Sequence, residues 1–145
     1  MNDEYFMREA LKEACKALEK DEVPVGAVIV AGKRMIARAH NLTETLNDVT
    51  AHAEMQAITM AAAFLGGKYL KDCTLYVTLE PCLMCAGALY WAQITRIVFG
   101  AMDKKRGFTL YPSSPLHPVT SLTNGVLEPD CAALMSDFFK KKRKQ

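Results

Sequence analysis

Thr74-Leu75-Tyr76-Val77-Thr78 runs straight into Leu79-Glu80-Pro81-Cys82-Leu83-Met84-Cys85. The first five residues are mostly apolar, β-branched or aromatic, and read as a strand. Pro81 suits the first turn of an α-helix, where its missing N–H costs nothing, so a helix is predicted from Pro81 to about Trp91. Arg96-Ile97-Val98-Phe99-Gly100 follows as another strand. Strand, helix, strand at this spacing predicts a right-handed parallel crossover, and therefore an α/β fold.

The flanks extend the same pattern. Met7, Ala10, Leu11, Ala14, Ala17 and Leu18 recur at helical spacing among Glu and Lys, which predicts an amphipathic helix over about Asp3–Lys20, capped at Asn2 or Asp3. Val25–Val30 is a nearly continuous apolar run, the pattern of a central strand buried on both faces. Gly32-Lys33 turns the chain and Met35–His40 returns, predicting a hairpin. Asn41–Thr50 reads as a loop, and His52–Leu65 as a helix closed by Gly66-Gly67. Asp103–Pro118 carries three prolines and has no regular pattern, while Thr120–Leu122 reads as a short edge strand. A last helix is predicted from about Pro129, with Leu134, Phe138 and neighbouring alanines facing inward. Together these predict one domain over 1–145, with a five-stranded mixed sheet in a three-layer α/β/α arrangement.

Composition narrows the setting. The chain has 145 residues, half of them hydrophobic and 23% charged, enough for one core of ordinary polarity. No apolar run reaches the ~18 residues of a membrane span. The start, Met1-Asn2-Asp3-Glu4, is acidic and unlike a secretion signal, so no membrane association and a cytoplasmic location are expected. Five cysteines form too odd and sparse a set for a disulfide scaffold. Cys15, Cys73 and Cys131 read as small buried hydrophobes. The net charge is +2, of which the tail Lys140-Lys141-Lys142-Arg143-Lys144 contributes +5, leaving the rest at −3. Such a tail either complements its helix dipole in solvent or attracts phosphates.

The chemistry lies in two short motifs, His52-Ala53-Glu54 and Pro81-Cys82-Leu83-Met84-Cys85. His52, Cys82 and Cys85 supply three zinc ligands and leave a fourth tetrahedral position for water. Cysteines three apart at a helix start share one side and sit where thiolate is favoured. Residues 52 and 54 lie ~200° apart within a regular helix, so His52 must stand ahead of the helix for both side chains to face one metal. Zinc brings the pKa of its water towards 7. Glu54 is then the proton shuttle, and the hydroxide attacks a ring carbon bearing an amino group. Competing readings are a Cys-x-x-Cys redox pair, a structural zinc closed by a fourth ligand, and a zinc-stabilised interaction module without catalysis. The intact Glu54 and the three-ligand count favour catalysis.

At these residues the sequence resembles the tRNA-specific adenosine deaminases of the cytidine-deaminase superfamily. Glu22–Val28, Ala51–Glu54, Thr74–Cys82, Cys85–Ala88, Val98–Ala101 and Cys131–Phe139 carry the likeness, which spans nearly the whole chain. The resemblance implies a cytidine-deaminase-like fold and a homodimer with one zinc per subunit on His52, Cys82 and Cys85. It implies deamination of the wobble adenosine of an arginine tRNA to inosine, with the anticodon stem-loop as partner. It further implies that Asn41 hydrogen-bonds the flipped base, that backbone near Ala53 and Glu80 assists, and that Val23 and Pro24 line the pocket. Asp103 and Phe139 are expected near the bound nucleotide. The sequence departs from the family at Lys104–Tyr111, where a small-residue loop is usual. There Phe108 and Tyr111 are either stacking partners or core residues. This departure keeps open an alternative substrate, a free nucleobase or nucleoside such as guanine, cytosine or adenosine. Tyr90 and Trp91 are expected in the core or at a dimer contact, and Met55, Met60 and Met84 in packing.

Overall fold

The computed structural model describes residues 1–145. The first helix, α1 (Asp3–Glu19), starts where its cap chemistry demands: the Asn2 side chain accepts a hydrogen bond from the Tyr5 amide at 2.9 Å. Strands β1 (Gly26–Ala31) and β2 (Arg34–His40) form the expected antiparallel hairpin. Helix α2 (Ala53–Leu65) ends on Gly66, which takes the left-handed φ of 70° that favours glycine. Strand β3 (Cys73–Leu79), helix α3 (Leu83–Ala92) and strand β4 (Arg96–Ala101) make the crossover, and β3 and β4 are parallel. A four-residue strand β5 (Ser121–Asn124) adds to β4 in parallel, and α4 (Glu128–Arg143) completes the chain.

The sheet order is β2-β1-β3-β4-β5, with β1 antiparallel to both its neighbours. Side chains alternate between the two faces, and each face has its own core. On one side Ala27, Ile29, Leu75, Val77, Ile97 and Phe99 meet Ala53, Ala57 and Ala61 of α2 and Ala86 and Leu89 of α3. On the other, Val28, Val30, Tyr76 and Val98 meet Phe6, Met7 and Ala10 of α1 and Cys131 of α4. Full burial of each large side chain is worth about 1.5–3 kcal/mol. The three-layer α/β/α architecture with a five-stranded mixed sheet is therefore as expected. Glycine permits the tightest contacts: a Cβ on Gly26 would overlap the backbone of α1 at Ala10 and Ala14, and one on Gly100 would strike the Cys131 sulfur.

Several sequence expectations change. Pro81 is not in the first turn of α3; Cys82 is the N-cap and the helix begins at Leu83. The segment stays extended because Cys82 bridges to Gly107 and the Pro81 carbonyl accepts the Phe108 amide at 3.0 Å. On α4 the inward stripe is Cys131, Leu134 and Phe138, whereas Ala132 and Ala133 are exposed, since they fall on the opposite side of the helical turn. Cys15 is exposed, while Cys73 and Cys131 are fully buried. Met60 and Met84 are largely exposed, and Trp91 is 77% exposed, so it is no core residue. The two loop aromatics part company: Phe108 is buried edge-on against Phe99, and Tyr111 faces solvent.

Candidate active site

Because β1 is antiparallel to β3, the start of β1 and the end of β3 lie at one edge of the sheet. The parallel β4 ends there too, as does β2, which runs antiparallel to β1. The N-termini of α2 and α3 close over the same edge, in the crevice beyond the carboxyl ends of strands where α/β folds place ligands.

His52 is the N-cap of α2, with extended φ and ψ of −70° and 156°. It stands ahead of the helix, as the two-residue spacing to Glu54 requires. Cys82 holds the matching position on α3, at −74° and 174°. The His52 side chain makes no bond to its own helix, and the Cys82 sulfur, bonded by Cys85 of α3, faces the His52 ring. The His52 Nδ1 lies 3.4 Å from the Cys85 sulfur and 3.7 Å from the Cys82 sulfur. All three donor atoms fall within 4.8 Å of one another. Ligand lengths of ~2.3 Å for sulfur and ~2.0–2.1 Å for nitrogen around a tetrahedral zinc put such pairs about 3.6 Å apart, so spacing and donor set fit zinc.

The electrostatics set one sulfur that gives up its proton beside one that keeps it. The hydrogen bond from Cys85, joined by the one from His52, pulls the Cys82 thiol down to about 4 against the opposing effect of burial. The same bond, then burial, pushes Cys85 upward. The Cys82 sulfur also raises His52. These groups share protons that a metal ion displaces. Glu54, on the first turn of α2, is 4% exposed, and burial holds its carboxyl up at about 7, close to the value that suits a proton shuttle at neutral pH.

In front of this cluster opens a cavity of about 800 Å³. His52, Ala53, Glu54 and Cys82 form its floor, and Val23, Asn41, Glu80, Asp103 and Phe139 its walls. Of the sequence-derived residues only Pro24 and Cys85 are absent from the lining. Cys85 is fully buried behind the floor. Pro24, expected with Val23 in the pocket, lies outside the lining because the extended backbone alternates: Val23 and Val25 line the cavity and Pro24 between them is buried. The Asn41 side chain donates to the Val23 carbonyl at 3.3 Å and accepts the Thr43 amide at 3.3 Å. The Glu80 carboxylate is committed to protein amides, receiving Asp103 N at 3.0 Å and Thr109 N at 2.8 Å. Residues missed by sequence reasoning include Met135, Ser136 and Arg143. They share a face of α4 with Phe139, so helical spacing from Phe139 would have found them.

Residues 1–101 match the family model described as the cytidine and deoxycytidylate deaminase zinc-binding region. The chain belongs to that family, among the tRNA-specific adenosine deaminases. A tRNA-specific adenosine deaminase of Bacillus subtilis (strain 168) is 47% identical over 148 residues, covering 99% of this chain and 92% of the relative. One from Aquifex aeolicus (strain VF5) is also 47% identical, covering 99% and 97%. A solved structure from a study of A-to-I editing by tRNA:A34 deaminases superposes with a TM-score of 0.82 at 46% identity, covering 90% of this chain and 98% of that one. A guanine deaminase of Bacillus subtilis is 43% identical with a TM-score of 0.67, covering 70% and 66%. The deaminase family's zinc-binding region thus coincides with the His52, Cys82 and Cys85 cluster.

Proposed function

We propose that this protein hydrolytically deaminates adenosine to inosine at the wobble position of an arginine tRNA. The observation that carries the reading is one cavity lined both by His52, Cys82 and the buried Glu54, with Cys85 behind them, and by Lys104, Lys105, Arg106 and Arg143. A reactive floor with cationic walls suits a base attached to a phosphate chain. One zinc per subunit, held by His52 Nδ1, Cys82 and Cys85, would supply Lewis-acid activation of a water at the fourth position. Glu54 takes the proton of that water and passes it to the ring nitrogen next to the attacked carbon. A second transfer through Glu54 reaches the amino group, which leaves as ammonia. Asn41 and the backbone at Ala53 and Glu80 hold the base, Val23 packs against it, and Asp103 and Phe139 lie near the bound nucleotide. The base must be flipped out of its stack to reach the floor.

Residues 1–145 act as one catalytic unit, and two such chains associate. The exposed Leu83, Met84, Tyr90 and Trp91, which share a face of α3, support the dimer as an apolar patch; a one-chain mass in sedimentation equilibrium would refute it. No helix is long and apolar enough to cross a membrane, and a tRNA substrate supports a cytoplasmic reaction. A second reading, deamination of a free nucleobase, draws support from the similarity to guanine deaminase. Inosine and ammonia release with an arginine-tRNA anticodon stem-loop, beside free guanine, cytosine, adenosine and cytidine, separates the two. Turnover of a free base with none on the stem-loop would reverse the assignment.

A further inference from the structure

Two carboxylates are buried at the catalytic edge of the sheet without facing the metal cluster. Glu22 precedes β1 and is fully buried; Glu80 follows β3 and is 2% exposed. Their bonding is the same in kind. Glu22 accepts the amides of Glu44 at 3.1 Å and Thr45 at 2.6 Å, and the Thr45 hydroxyl at 2.6 Å. Glu80 accepts the amides of Asp103 at 3.0 Å and Thr109 at 2.8 Å, and the Thr109 hydroxyl at 2.7 Å. Gly107 completes the second arrangement, since a Cβ there would overlap the Glu80 carboxyl.

The topology makes the pairing meaningful. In the order β2-β1-β3-β4 the two inner strands carry the glutamates, and each reaches sideways to the loop that leaves its outer neighbour. The loop after β2 carries Asn41 and Thr43 into the cavity, and the loop after β4 carries Asp103 to Arg106. A buried carboxylate is costly unless fully bonded, and charge-assisted bonds to amides are short and strong. Nothing in the chemistry of the floor requires either group.

We propose that Glu22 and Glu80 are positioning residues. Each pins one wall of the cavity, and together they set the separation of the walls and so the fit of a nucleotide held within a polynucleotide. The inference rests on the deaminase reading above. Asp103 keeps its place because its loop is anchored to the end of β3, which leads through Pro81 to Cys82, and Asn41 because its loop is anchored to the segment ahead of β1, whose Val23 lines the cavity.

The test uses zinc-loaded E80Q and E22Q variants, with steady-state kinetics on the stem-loop and hydrogen–deuterium exchange. In E80Q, exchange should quicken across residues 103–110 alone, and in E22Q across residues 42–46 alone. In both, KM should rise roughly tenfold, the loss of a charge-assisted bond, with zinc content retained and kcat within about twofold of wild type. Thr109→Val and Thr45→Val remove one donor each and should raise KM roughly threefold; they carry the test if a Gln variant does not fold. Unchanged KM, or a loss confined to kcat or to zinc, would overturn the proposal. If the wild-type protein leaves the stem-loop untouched, the deaminase substrate is wrong, and exchange in the variants still decides whether the walls are pinned.

Discussion

At His52 and Cys82 the chain spends two helix caps on metal chemistry. Cap positions normally hold Ser, Thr, Asp or Asn, whose oxygen satisfies a helix amide. Here the His52 side chain leaves its helix unbonded, and its ring meets the sulfurs of Cys82 and Cys85 at one point. That placement was legible from spacing alone, because His-x-Glu cannot converge inside a regular helix. The environment of Glu54 was less so: nothing in Ala53-Glu54-Met55 marks that carboxyl as buried until α2 is packed against the sheet. Glu54→Gln should fold and retain zinc, yet lose about 10²–10⁴-fold in kcat, the range for a lost general acid–base. Metal analysis and inosine formation check both halves, and an unchanged rate would remove Glu54 from the mechanism. The buried carboxylates of Glu22 and Glu80 carried no sequence mark at all, since a single Glu gives no sign of its burial.

Among the elements, those with strong periodicity were readable and those made by their neighbours were not. Helix α1 and the β3–α3–β4 unit follow from apolar spacing and Pro81, although Cys82 rather than Pro81 marks the start of α3. Strand β5, Ser121-Leu122-Thr123-Asn124, is four residues long and mostly exposed; an edge strand is expected at Thr120–Leu122, and pairing with β4 sets its bounds one to two residues later. The basic tail is the last turn of α4, and its cations divide. Lys142 pairs with Asp21 at 2.7 Å, whereas Arg143 lines the cavity. Removing Lys140–Gln145 should weaken stem-loop binding and reduce the slope of log affinity against log salt by about one or more. Binding isotherms at several salt concentrations measure this, and an unchanged slope would leave the tail to α4 alone.

Across the whole molecule, the two ends of the sheet are tied by different means. Away from the site, Arg96 grips Asp3 with two bonds of 2.9 and 2.8 Å, and the Tyr76 hydroxyl donates to the same carboxylate at 2.7 Å. This fastens the first turn of α1 to β3 and β4. The bonds from Arg96, ahead of the opposing effect of burial, hold the Asp3 carboxyl below its usual value. With a folded pKa below the unfolded one, the contribution is fully present above about pH 4 and fades as pH falls through the folded value. Urea unfolding across this acid range should show Asp3→Asn with a shallower loss of stability than wild type, and parallel curves would exclude the link. At the site end the ties are the carboxylates on loop amides. Their consequence concerns change over generations. Glu80 holds the loop after β4 by the main chain of Asp103 and Thr109, not by the side chains of Lys104, Lys105 or Arg106. Those three positions are free to vary while the loop keeps its path. Here all three are cations, and the charge at the rim of the cavity can change while the path of the loop stays fixed.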